Sequence, residues 1–287
     1  MKKEKDSKVL LFFQRLFCYI VLAILTVLCL FSFYILIINS TRFHPEIQKG
    51  FSFLPGKALF QNIKNLLDPT VNSLPILSGL KNSLIVSTCS ASLCTYVSAL
   101  TAYAIHVYDF KAKRFAYTFI LVIMMVPAQV SALGFIDLMD KLGLINSFLP
   151  LILPSMAAPV VVFFMKQYMD SSLPVQLVEA ARIDGAHEFR TFNQIVLPIL
   201  KPAIAVQVIF NFVGAWNNYF TPALILRKTE MQTLPILIAL LRKADFLKFD
   251  MGQVYIMIAF AIVPIVIVYF MLSKFIVRGI AIGSVKG

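Results

Sequence analysis

Residues 179–198 read EAARIDGAHEFRTFNQIVLP, a dense group of ionisable and hydrogen-bonding side chains set between two long apolar stretches. Glu179, Arg182 and Asp184 are candidate ion-pairing partners for another protein, and Ala180 and Ala181 are small enough to let its surface approach closely. That is docking chemistry, not bond-making chemistry. Other candidates are weaker. His44-Pro45-Glu46 resembles part of a zinc-deaminase signature, but no paired cysteines follow it. Gly56-Lys57 is followed by Ala58, and Gly50 stands one residue out of register for a phosphate-binding loop. Cys18, Cys29, Cys89 and Cys94 all fall inside apolar segments, with the spacing of neither a zinc site nor a disulfide framework. They read as small packing residues. The expectation is no catalytic residue, no metal ligands and no nucleotide site in this chain.

The elements that must carry this island are membrane elements. Of 287 residues, 59% are hydrophobic and only 14% charged, with a mean hydropathy of +0.83; soluble domains are about a quarter charged. The apolar residues sit in blocks rather than stripes. The net charge of +12 lies in loops and tails, which fits orientation in a bilayer better than a nucleic-acid footprint. A hydrocarbon core about 30 Å thick needs roughly 20 apolar residues in a helix. Stretches 16–38, 84–105, 115–136, 148–165, 202–226 and 252–272 qualify or nearly so, without a charged residue. The first is too long for a signal-peptide core and no small-residue cleavage site follows it. The fourth carries Pro150, Pro154 and Pro159, so it is expected as a kinked span or a helix in pieces. Six spans put both termini on one side. More of the 26 Lys and Arg fall on the termini's side than opposite, which makes that side cytoplasmic. The expected fold is therefore all-α and polytopic, a single transmembrane domain over 1–287, with outer loops at 39–81 and 227–251.

Within the island, 175–184 is expected to form a short helix capped by Ser172, with Pro174 in its first turn. Asp184-Gly185 ends it, glycine supplying the left-handed conformation. A second short helix is expected from His187 to Leu197, ended by Pro198. On these residues alone, a solvated loop lying on the membrane and a docking knob for a cytoplasmic subunit both stand. The spans contain no ionisable residue, which disfavours proton-driven transport and intramembrane chemistry. The row Ser87, Ser90, Ser92, Thr95, Ser98 and Thr101 reads as close helix packing.

Glu179-Ala180-Ala181, three residues, Gly185, nine residues, Ile195, one residue and Leu197-Pro198 resemble the EAA loop of ABC-importer permeases. Pro127-Ala128, Trp216-Asn217-Asn218-Tyr219-Phe220 and the tail from Val277-Arg278-Gly279 to Val285-Lys286-Gly287 are similar to the maltose-type, carbohydrate-uptake branch. The resemblance covers nearly the whole chain. It implies a type I ABC-importer permease fold of six transmembrane helices, the smaller permease of its system, in a bacterial inner membrane with both termini cytoplasmic. It implies a transport subunit and not an enzyme. The partners would be a second homologous permease, two copies of a cytoplasmic ATPase that binds ATP and Mg, and an extracellular or periplasmic sugar-binding protein. Residues 171–198 would be the cytoplasmic coupling loop, with Glu179, Ala180, Ala181, Asp184 and Gly185 docking the ATPase. The tail around Gly283–Gly287 would approach the ATPases too. Asn211, Trp216, Asn217, Asn218 and Tyr219 would be candidates for the solute path near the bilayer midplane; helix packing is their alternative role. The solute would be a sugar or oligosaccharide. A glycerol phosphodiester or phosphorylated polyol is the alternative, as is, from a different class, a membrane scaffold or receptor subunit docking a signalling protein.

Overall fold

The computed structural model describes the backbone of residues 2–71, 73–126, 132–243 and 250–283, and the side chains of 11–71, 73–126, 132–242 and 250–275. Every regular element among them is helical. In chain order these are α1 (Lys2–Ser40), α2 (His44–Gln48), α3 (Leu59–Leu67), α4 (Ile76–Val107), α5 (Lys113–Ile123), α6 (Ala132–Lys141), α7 (Leu149–Ile152), a 3-10 turn (Leu153–Met156) and α8 (Pro159–Ser172). Then follow α9 (Val175–Ile183), α10 (Glu188–Thr191), a π-helical turn (Phe192–Val196), α11 (Leu197–Ile199), α12 (Lys201–Trp216), α13 (Phe220–Ile225), a 3-10 turn (Thr229–Met231), α14 (Leu234–Lys243) and α15 (Met251–Gly283).

Among the described residues, four helical segments are long and apolar enough to cross a bilayer: Leu11–Ser40, Ile76–Val107, Leu149–Ser172 and Met251–Phe275. A fifth exists if Glu188–Ile199 and Lys201–Trp216, which meet at an 83° bend, are counted together. Two of the six expected spans therefore look different. The third, expected at 115–136, is α5 followed by turns and then, beyond the undescribed 127–131, by α6. The 11 residues of α5 rise only about 16 Å, half the hydrocarbon thickness. The Pro127-Ala128 pair lies outside the described residues. The fifth, expected at 202–226, stops at Trp216 and resumes as α13. Pro222 explains the break, because it offers no N–H to the carbonyl of Asn218 and its ring would strike that carbonyl in a continuous helix. The fourth span is in pieces as expected, with Pro150, Pro154 and Pro159 each in the first turn of a new piece, where the missing N–H costs nothing.

The chain groups into two compact units. One comprises residues 1–73 and 241–260, the other 74–240 and 261–287. In the first, the last carbonyls of α1 are taken up locally: Ser40 Oγ donates to Ile37 O at 2.7 Å and Thr41 Oγ1 to Ile38 O at 2.6 Å. The buried Arg42 then organises the following loop by donating to Asn39 Oδ1 at 3.1 Å, Gly50 O at 2.9 Å and Glu46 O. Asn62 Nδ2 closes it onto Ser40 O and Arg42 O, both at 3.0 Å.

The second unit is built around α4. Ser83, Ser87, Ser90, Ala91, Cys94, Ser98, Ala99 and Ala102 are buried on it, and α12, α8 and the 3-10 turn before α8 pack along it. Small residues let helix backbones come close where lipid supplies no hydrophobic drive between helices. Gly79 shows how close: a Cβ there would stand 2.3 Å from Leu237 Cδ1. At one end of α4 a larger core gathers Tyr103, Met165, Met169, Phe192, Val196 and Leu200, and this core carries the polar island.

Candidate functional site

The island begins with Pro174 at the N-cap of α9, in extended conformation. Ser172 is the last residue of α8 and caps nothing on α9; Leu173 and Pro174 intervene, and the residue before a proline is pushed to extended backbone. α9 ends as the Gly185 spacing predicts. Gly185 has φ +79° with open space around it, so its conformation is what requires glycine. Ala186 N–H donates to Ala181 O and Gly185 N–H to Arg182 O, both at 3.0 Å, which closes the last turn. His187 then caps α10 by accepting from Arg190 N–H at 3.2 Å through Nδ1. The expected single helix from His187 to Leu197 is instead α10, the π turn and α11. Pro198 has no N–H to continue an α-helical ladder, and the widened turn just before it absorbs the mismatch.

α9 has one face in and one face out. Val178 and Ala181 are buried, whereas Leu177, Glu179, Ala180, Ile183 and Asp184 are exposed, as is Phe189 on α10. Ile183 is 86% exposed, an extreme value for an isoleucine next to a charged corner. Of the five residues implicated by the resemblance, the structure therefore puts Glu179, Ala180, Asp184 and Gly185 at the surface. Ala181 faces the chain's own core. Three exposed apolar side chains, Leu177, Ile183 and Phe189, join them without having been singled out in the sequence.

Behind that surface lies an anchor. Arg182 Nε donates to Glu188 Oε1 at 2.7 Å across the glycine corner, and Tyr103 on α4 donates its hydroxyl to Glu188 Oε2 at 2.9 Å. The Arg182 guanidinium also lies over the Tyr108 ring, 5.3 Å from its centre. The bond to Glu188 raises the Arg182 pKa further above its already high value, so this end of the pair stays cationic. Arg182 thus holds an ion pair within the chain while its side chain stays partly exposed. His106 adds a second tie: Nε2 meets Leu173 O at 2.9 Å and Nδ1 meets Asp170 Oδ1 at 2.9 Å, with Lys166 Nζ on the same carboxylate at 2.7 Å. Apart from Lys166–Asp170, which is an i,i+4 pair within α8, these ties join separate segments, so the sequence held no periodic signal for them.

The second candidate region is the break after α12. Asn211 and Asn218 line an open cavity of about 670 Å³ with Ser90, Ser155, Phe210 and Phe220. No ionisable side chain is among its described lining residues. Asn211 Nδ2 donates to Gln207 O at 2.7 Å while its Oδ1 accepts from Cys94 Sγ at 3.3 Å. Asn218 Oδ1 accepts from Thr221 N–H at 3.3 Å. Both amides keep hydrogen-bonding capacity for a solute. The other three residues of the expected set are elsewhere. Trp216 is 1% exposed, stacked on Phe212 at 5.6 Å, and donates Nε1–H to Ala261 O at 3.0 Å. Asn217 caps α12 with its backbone and is exposed, and Tyr219 is exposed off the cavity. Ser90 and Ser155, by contrast, bind each other's segments, Ser90 Oγ to Leu151 O and Ser155 Oγ to Ser90 O, while bordering the cavity.

An all-helical membrane body with a polar knob at one end of its core and an uncharged cavity elsewhere in the same unit defines a transport subunit. Comparison gives the family. Residues 95–282 match the family model of the binding-protein-dependent transport system inner membrane component. The chain is 36% identical over 251 residues to the arabinooligosaccharides transport system permease protein AraQ of Halalkalibacterium halodurans, covering 82% of this chain and 88% of that protein. It is 31% identical to the sn-glycerol-3-phosphate transport system permease protein UgpE of Yersinia pestis, covering 92% and 95%. It is 28% identical to the lactose transport system permease protein LacG of Rhizobium radiobacter, covering 93% and 95%. In fold it is similar to a chain in the crystal structure of a bacterial ABC transporter involved in import of the acidic polysaccharide alginate, with a TM-score of 0.74 at 20% identity, covering 90% and 95%. This chain belongs to the family of binding-protein-dependent transport system inner membrane components, and is a multi-pass inner-membrane permease.

Proposed function

We propose that this permease forms half of the translocation path for a sugar or oligosaccharide, and that residues 171–198 couple it to a cytoplasmic ATPase. The partners in this reading are a second permease, two ATPase copies holding the ATP and Mg, and an extracellular or periplasmic sugar-binding protein. The chain acts as a single permease domain with both termini cytoplasmic. The observation that carries the coupling reading is the two-sided α9: Val178 and Ala181 hold it to the permease, while Leu177, Ala180, Ile183 and Phe189 are left exposed beside Glu179 and Asp184. An exposed apolar patch rimmed by charge marks a protein contact. Force applied to that patch reaches the helices through the Arg182–Glu188–Tyr103 tie.

The uncharged cavity favours a neutral polyhydroxy solute. Asn211 and Asn218 offer amides to hydroxyls, and Phe210 and Phe220 offer faces to sugar rings. A phosphorylated polyol, the solute named for the 31% identical relative, would need a cation, and there is none among the described lining residues. The test is uptake of a labelled sugar panel by vesicles holding the whole importer. Glu179→Lys and Ile183→Asp should leave the complex inserted yet abolish ATP-dependent uptake. Full uptake by both would overturn the coupling role, and exclusive uptake of phosphorylated polyols would overturn the sugar reading.

A further inference from the structure

Beside the coupling segment, in the same unit, the short connection from α4 to α5 folds over a second cavity of about 400 Å³. Its polar lining is Asp109, Lys111, Lys113, Arg114, Tyr117 and Lys166. Four cations face one carboxylate there. Lys166 is already paired with Asp170 at 2.7 Å, whereas Lys111, Lys113 and Arg114 make no ion pair among the described residues. The Tyr117 hydroxyl is buried with no hydrogen-bond partner among the described residues, although its ring supports Lys166 Nζ at 5.1 Å.

The surroundings state what kind of anion this is. Phe110, Phe115 and Phe119 are exposed next to the cationic residues, and Phe115 and Phe119 stack on each other at 6.1 Å along the outer face of α5. A free phosphate or a soluble acidic peptide has no use for that apolar strip, whereas a lipid presents an anionic head and acyl chains together. We propose that the α4–α5 corner binds an anionic phospholipid, its phosphate among Lys111, Lys113 and Arg114, its chains along Phe115 and Phe119. Basic pockets at the ends of membrane helices recognise anionic head groups in this way. The site stands on the permease's own residues and does not depend on the sugar or the ATPase reading. Lys166, one of its lining residues, shares Asp170 with His106, which joins α4 to the start of α9 through Leu173 O, so the lipid braces α9.

Native mass spectrometry of the full-length protein in neutral detergent tests this with added phosphatidylglycerol, phosphatidylcholine or inorganic phosphate. The wild type should retain phosphatidylglycerol over phosphatidylcholine, and Lys111→Ala with Arg114→Ala should weaken that retention roughly ten- to thirty-fold. Lys57→Ala with Lys64→Ala, equal in charge change but on the other unit, should leave it unaltered. The proposal falls if the Lys111/Arg114 variant retains the lipid like wild type, if the Lys57/Lys64 control loses as much, or if phosphatidylcholine binds equally. It falls too if millimolar phosphate displaces the lipid completely, which would mark a free-anion site.

Discussion

Two long helices of this protein invert the rule that governs soluble cores. α1 is the more hydrophobic, yet from Leu11 to Tyr34 nearly every side chain is exposed. α4 is less hydrophobic, carries a row of serines and threonines, and is the most buried long helix. In water the opposite would hold, because burial follows apolar area. In a bilayer, lipid is as apolar as leucine, so large apolar residues gain nothing by turning inward. What selects the buried helix is the ability to approach its neighbours closely. Ser83, Ser87, Ser90, Ala91, Cys94, Ala99 and Ala102 give α4 that ability, and the phenylalanines and leucines of α1 deny it to α1.

Substitutions can break this comparison. The largest effect is expected where a bulky side chain completes the packing of α12, the helix laid along α4. Trp216→Ala should cost about 3–5 kcal/mol, read as a fall in the thermal unfolding midpoint of the detergent-solubilised protein. Trp216→Phe should recover most of it, losing only the bond to Ala261 O, worth about 1 kcal/mol. An unchanged midpoint for Trp216→Ala would mean that the indole is not a packing residue. Next comes overpacking: Ala99→Leu, at a fully buried position of α4, should cost about 1–3 kcal/mol in the same measurement.

Smaller effects sharpen the contrast. Glu188→Gln removes the ionic part of the tie to Arg182, but both side chains are over a third exposed, so global stability should drop by less than about 1 kcal/mol. Its readout is local: amide hydrogen exchange across residues 175–199 should speed up while α4 stays protected. At the far end, Val27→Ala on the exposed face of α1 should shift the midpoint by no more than about 0.5 kcal/mol. A large loss there would mean that α1 is covered by something in the purified protein, with a second permease the first candidate.

Much of the fold was legible because a bilayer imposes a length on apolar runs. The runs at 16–38, 84–105 and 252–272 lie within α1, α4 and α15 for that reason. The proline-broken fourth span was legible too, since Pro150, Pro154 and Pro159 each forbid a preceding helical bond. The break in the fifth was missed because it follows from Pro222 acting four residues upstream, which a hydropathy count ignores. In the island, Gly185 announced its own φ, whereas the burial of Val178 depended on a core formed with α4 and α8. For Trp216 the sequence left solute contact and helix packing both open; its burial against Phe212 depended on where α12 met its neighbours.

The sequence by itself determined that this is a helical membrane protein with a glycine-cornered polar knob, because helix length, charge exclusion and a left-handed residue are local properties. The tertiary structure alone decided which face of α9 remains exposed and which of five clustered polar and aromatic residues reach a cavity. Those outcomes depend on side chains from α4, α8, α12 and α15 meeting in space, and separations of dozens of residues leave no periodic mark on the chain.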